Sequence, residues 1–72
     1  MTKAERDIMR HFRKYRVGVN EMLCFDTNPS KTNSSEFQVA MTSLIESGLV
    51  VRERRRHAYS LTPEGFATSL SV

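Results

Sequence analysis

Three consecutive arginines, Arg54, Arg55 and Arg56, flanked by Arg52 and His57, place up to four permanent positive charges on a few residues of chain. The flanking runs read as short strands, Leu49 to Arg52 and Ala58 to Leu61, so the cations crown a hairpin tip. Guanidinium forks match phosphate oxygens, and a thin hairpin can enter a minor groove, where arginine is favoured at narrow sites. The bland alternative is a solubilising turn that guards an edge strand. Solubility needs charge but not three arginines in a row, so phosphate or groove contact is the stronger reading. His57 is expected to be a passive neighbour of the tip.

A second set of polar groups lies just upstream. Residues 34–47 read as an amphipathic helix with Ser35, Val39, Thr42, Ser43 and Glu46 on its outward side and Gln38 at the edge; with Ser34 at the helix start, Ser34, Ser35, Gln38, Val39 and Thr42 are the candidate DNA contacts. Serine, threonine and glutamine can exchange hydrogen bonds with base edges, and a valine can meet a thymine methyl. The helix carries no lysine or arginine and holds Glu36 and Glu46, so bidentate guanine recognition is beyond it. The nearest cation is Lys31, in the preceding turn. Three options stay open: specificity set by DNA shape, glutamates reading cytosine amino groups, or a helix that contacts protein.

The third set is the face of the first helix that carries Lys3, Arg6, Arg10, Arg13 and Lys14, offset by Asp7 alone. Like charges four residues apart repel and weaken a helix. A solvated face and a face that meets phosphate or another acidic surface are evenly balanced here, with Arg6, Arg10, Arg13 and Lys14 as the phosphate contacts.

Other chemistry is absent from the pattern. His11, Cys24 and His57 lie on separate elements without the paired spacing of a zinc site, so no metal is expected. No glycine-rich phosphate loop or nucleophile elbow occurs and the carboxylates are scattered, so neither catalysis nor a cofactor is expected. Cys24 reads as a small buried hydrophobe rather than a reactive thiol.

The positioning elements follow from periodicity. Lys3 to about Tyr15 reads as a helix, capped by Thr2 with Glu5 at capping-box spacing. Its core stripe is Ala4, Ile8, Phe12 and Tyr15, with Met9 on the flank. After a break at Arg16-Val17-Gly18, Val19 to about Phe25 reads as a short second helix with Val19, Met22, Leu23 and Phe25 inward. Asp26 to Asn33 is a loop by composition. The third helix buries Phe37, Ala40, Met41, Leu44 and Ile45 and stops at Gly48 in a left-handed conformation. Alternation puts Leu49 and Val51 on the same side as Tyr59 and Leu61. Thr62 caps a last helix, Pro63 to about Leu70, which packs Phe66 and Leu70.

Seventy-two residues make one domain, 1–72, near the lower limit for autonomous folding. The net charge of +3 and a sequence pI near 9.5 favour anionic partners. One cysteine, no apolar run near the roughly 18 residues that span a bilayer, and a polar beginning lead to the expectation of a soluble cytoplasmic protein without membrane contact.

Two runs carry a family resemblance: Leu44-Ile45-Glu46-Ser47-Gly48-Leu49-Val50-Val51-Arg52, and Tyr59-Ser60-Leu61-Thr62-Pro63-Glu64-Gly65. They resemble the segments after the recognition helix and after the wing in winged helix-turn-helix regulators of the MarR and PadR families. The resemblance implies an α+β, mostly α fold: a three-helix core, a two-stranded wing and a short C-terminal helix. It also implies a third helix in the major groove and a wing over the backbone or minor groove. Those families add helices for dimerisation and ligand binding, for which this chain has no room, so no small-molecule ligand is expected. The leading expectation is a small transcriptional regulator binding double-stranded DNA, with two copies pairing at least on DNA. Behind it come a winged-helix adaptor on an acidic protein partner and an RNA-binding winged helix.

Overall fold

The computed structural model describes residues 1–25, 35–55 and 57–72. The elements among them are α1 (Lys3–Lys14), β1 (Met22–Cys24), α2 (Ser35–Glu46), β2 (Val50–Arg52), β3 (Ala58–Leu61) and α3 (Pro63–Leu70). The architecture is α+β. The expected loop over Asp26 to Asn33 lies outside the described residues.

Thr2 and Glu5 start α1 as a reciprocal cap. The Glu5 N–H donates to Thr2 Oγ1 at 3.2 Å, and the Thr2 N–H donates to Glu5 Oε1 at 3.0 Å. The other carboxylate oxygen accepts from Ser43 Oγ at 3.2 Å, so the same residue ties α1 to α2. The Thr2 backbone N–H, then the Thr2 side chain and Ser43, hold the Glu5 carboxyl below its ordinary value against a little burial. A lowered folded-state value stabilises the fold above the ordinary carboxyl range, and that contribution fades as pH falls through the lowered value. Glu5→Gln keeps the cap's shape and drops its charge. Its urea midpoint should therefore lie below wild type at neutral pH and converge with it in acid. A gap that stays constant with pH would refute the charge's role.

Both long helices end in the same way. Arg16 takes φ 53, its N–H bonds the Arg13 carbonyl, and the Val17 N–H reaches back to the Phe12 carbonyl at 3.1 Å. At the end of α2, Gly48 takes φ 78 with the equivalent bonds to Ile45 and, from Leu49, to Leu44. The expected glycine stop is therefore present. The first helix stops one residue early, which leaves Tyr15 54% exposed instead of in the core. Val17 is buried in its place, and Met9, expected on the flank, is fully buried beside Phe12.

The expected second helix over Val19 to Phe25 is not helical. Asn20 takes φ 64, and Met22–Cys24 forms a strand antiparallel to β3, with Met22 opposite Ser60 and Cys24 opposite Ala58. Burial rises along the strand: Met22 is exposed, Leu23 and Cys24 are half-buried with Leu23 on the core, and Phe25 is buried beyond the strand's end. The sheet order is β1-β3-β2, so three strands replace the expected pair. Leu49 is used in closing α2, which starts the next strand one residue later and shifts the alternation. Val50 pairs with Leu61 and is buried, whereas Val51 pairs with Ser60 and is exposed.

Phe25 joins the layers. Its ring centroid lies 4.9 Å from His11, 5.3 Å from Phe12, 5.7 Å from Phe37 and 5.8 Å from Tyr59. Thr62 closes the other end: its hydroxyl accepts the Gly65 N–H and donates to the Gly48 carbonyl at 2.7 Å. Phe66 packs on the core as expected, but Leu70, in the last turn of α3, is 57% exposed and Val72 packs instead.

Candidate nucleic-acid interface

Backbone hydrogen bonds among the described residues hold the hairpin tip. The Glu53 N–H donates to the Ala58 carbonyl at 3.0 Å, and the Ala58 N–H donates to the Arg55 carbonyl at 3.1 Å. His57 turns the chain with φ 57, and its carbonyl accepts the Phe25 N–H at 2.9 Å. The residue expected to be passive thus provides the left-handed corner of the tip and fastens it to the end of β1. Nothing in its type announces this, although histidine is among the side chains that tolerate such a corner better than most.

Arg54 and Arg55 are exposed on this support, and Arg56 lies outside the described residues. Arg52, at the end of β2, is exposed with its guanidinium carbon 5.6 Å from the centroid of the Tyr59 ring, its register partner. That stacking orients the fork without neutralising it. Among the described residues, no ion pair engages Arg52, Arg54 or Arg55. Glu53 is the one acid within the segment. Its Oε2 accepts from Ser60 Oγ at 2.9 Å, and strand alternation places that contact on the sheet face opposite Arg52 and Tyr59. The buried Ser60 hydroxyl therefore engages the carboxylate away from the stacked arginine, a contact not read from the sequence.

On α2, Ser35, Gln38, Val39 and Thr42 are all exposed, Val39 to 70%. Ser43, expected outward with them, is half-buried and occupied by Glu5. Lys31 and Ser34 lie outside the described residues. The start of α2 and the hairpin tip share one end of the molecule. Phe37 reaches Phe25 from the first turn of α2, and the Phe25 N–H bonds the tip residue His57.

The cations of α1 are elsewhere. Ile8, Met9 and Phe12 face the core, so Arg6 and Arg10 project from the opposite side, turned away from α2. Arg10 makes a loose pair with Asp7 at 3.9 Å, and Arg13 donates to the Val72 carbonyl at 2.8 Å. Lys14 lies 5.8 Å from the Tyr15 ring centroid, and Arg16 adds an exposed charge that was not counted from the sequence. Among the described residues, no group of three or more His, Cys, Asp or Glu side chains could hold a metal ion, and no helix is long and apolar enough to cross a membrane. Cys24 is a half-buried free thiol.

Comparisons with family models, curated proteins and solved structures give no match to this chain.

Proposed function

We propose that this chain is a winged-helix protein that binds double-stranded DNA, in the manner of a small transcriptional regulator of cytoplasmic or nucleoid DNA. One observation carries the reading: Arg52, Arg54 and Arg55 are exposed, without ion-pair partners among the described residues, on a hairpin tip that Phe25 and His57 fasten to the core. Desolvating or ordering cations costs free energy that a polyanion offsets by releasing its own counterions. Supporting it, the exposed side of α2 offers Ser35, Gln38 and Thr42 beside Val39, Glu36 and Glu46, and the first turn of α2 meets Phe25, whose N–H holds the tip. Phosphate contacts from Arg54, Arg55 and Arg56 set position, while Gln38 and Thr42 supply modest sequence preference. A single copy covers one half-site, so two copies pair on the duplex.

A second reading has one observation in its favour. The outer face of α2 lacks cations and exposes Val39 to 70%, which suits a protein surface. In that case the domain is an adaptor and its arginines meet an acidic protein.

The test replaces Arg54, Arg55 and Arg56 with alanine. Duplex affinity is expected to fall on all sequences alike, and the slope of log affinity against log salt to shrink by about 1 per arginine. Fluorescence anisotropy at several salt concentrations reads both quantities. An unchanged slope, or wild-type protein that ignores duplex at low salt, overturns the proposal and leaves the adaptor.

A further inference from the structure

We infer that the outer face of α1 holds a second DNA duplex, so that one copy bridges two segments. This rests on the DNA-binding reading above and extends it to a surface that the first duplex does not use. Lys3, Arg6, Arg10 and Lys14 share the side of α1 opposite Ile8, Met9 and Phe12, and all four are exposed. Over this stretch the helix advances about 16 Å, enough to follow several phosphates.

The acids of α1 do little to neutralise the face. Glu5 is turned to Thr2 and to Ser43 on α2, and Asp7 meets Arg10 at 3.9 Å with both side chains more than half exposed. Such a pair contributes little. Clustered cations on one helix face weaken the helix unless an anion approaches.

The chemistry selects the partner. An interfacial membrane helix dips its apolar face into lipid, and here that face is consumed by the core. A protein partner normally anchors on buried aromatic or aliphatic groups, and the stripe of cations contains none. A rigid polyanion asks for spaced cations alone.

The placement makes it a second duplex. α1 packs through its apolar side onto α2, and the cations project from the side of α1 away from that core face. A duplex against the outward side of α2 and the hairpin tip therefore meets a different face from the one that carries Arg6 and Arg10.

The experiment immobilises one duplex on beads and measures capture of a second, fluorescent duplex by the full chain. Arg6→Glu with Arg10→Glu is the test variant, with helicity by circular dichroism as the control for folding. Capture should fall by about tenfold or more, while anisotropy on a single duplex keeps its affinity within about twofold and its salt slope. Asp7→Lys, which adds a cation to the same face, should raise capture. Persisting capture by the charge-reversed protein means that bridging runs through protein pairing, and it overturns the inference. So does a parallel loss of single-duplex affinity, which would put α1 on the first duplex, or capture of anionic lipid vesicles without duplex bridging. Wild-type protein that binds one duplex but captures no second sinks bridging alone. Protein that binds no duplex sinks the DNA reading itself.

Discussion

Gly65→Ala is expected to destabilise the domain by about 3 kcal/mol, at the upper end of the usual overpacking range. Gly65 lies in the first turn of α3, where its N–H bonds Thr62 Oγ1 at 3.0 Å. Its α-carbon passes directly against the start of the hairpin, and an added Cβ would overlap the Leu49 carbonyl. That carbonyl already accepts the Thr62 N–H at 3.2 Å, so it cannot yield without opening the seam between α3 and the hairpin. Alanine's helix preference over glycine, about 1 kcal/mol, is too small to compensate. Gly48→Ala is the informative contrast. Open space surrounds Gly48, and its φ of 78 costs a side chain about 1 kcal/mol. A domain of this length is stable by only about 4–11 kcal/mol, so the first change is felt as a large fall in the urea midpoint. A midpoint for Gly65→Ala at or above that of Gly48→Ala would contradict the steric account.

Gly65 belongs to a run singled out in the sequence, and its neighbours show what made parts of the fold legible. The capping box at Thr2 and Glu5, the Gly48 stop and the Thr62 cap rest on contacts within a few residues, and the core side of α2 is marked by its own helical spacing. Local sequence therefore suffices for them. The segment Val19 to Phe25 was misread for the opposite reason. Its backbone partners are Ala58, Tyr59 and Ser60, more than thirty residues away, and a short apolar run looks alike as helix or strand. The register of β2 failed by one residue because closing α2 consumes Leu49, a boundary detail that alternation cannot supply. For the candidate interface, residue types were readable but their restraints were not. Val39 and Thr42 face outward as expected. By contrast, the Ser60 contact to Glu53, the corner at His57 and the capture of Ser43 by Glu5 all depend on which chain segments meet.

Phe25→Ala is expected to cost about 3–5 kcal/mol, the usual loss for a buried phenylalanine. The residue is 6% exposed and meets four rings drawn from α1, α2 and β3, so little of the cavity can collapse around alanine. The loss should not be uniform. The Phe25 N–H holds the His57 carbonyl at the tip, and Phe25 itself sits where the sheet meets the helices. Alanine keeps that N–H but loses the ring that seats it, so the hairpin should be released before the helices. Amide hydrogen exchange should show Glu53 and Ala58, whose N–H groups close the tip, losing more protection than Phe66, whose N–H bonds Thr62 within the first turn of α3. Leu70→Ala, at a position 57% exposed, should change stability by no more than about 0.5 kcal/mol. A uniform loss of protection would show that Phe25 stabilises the whole fold without a special tie to the tip. If the tip loosens first, duplex affinity should fall before the protein unfolds, because arginines on a mobile hairpin must be ordered at the moment of binding.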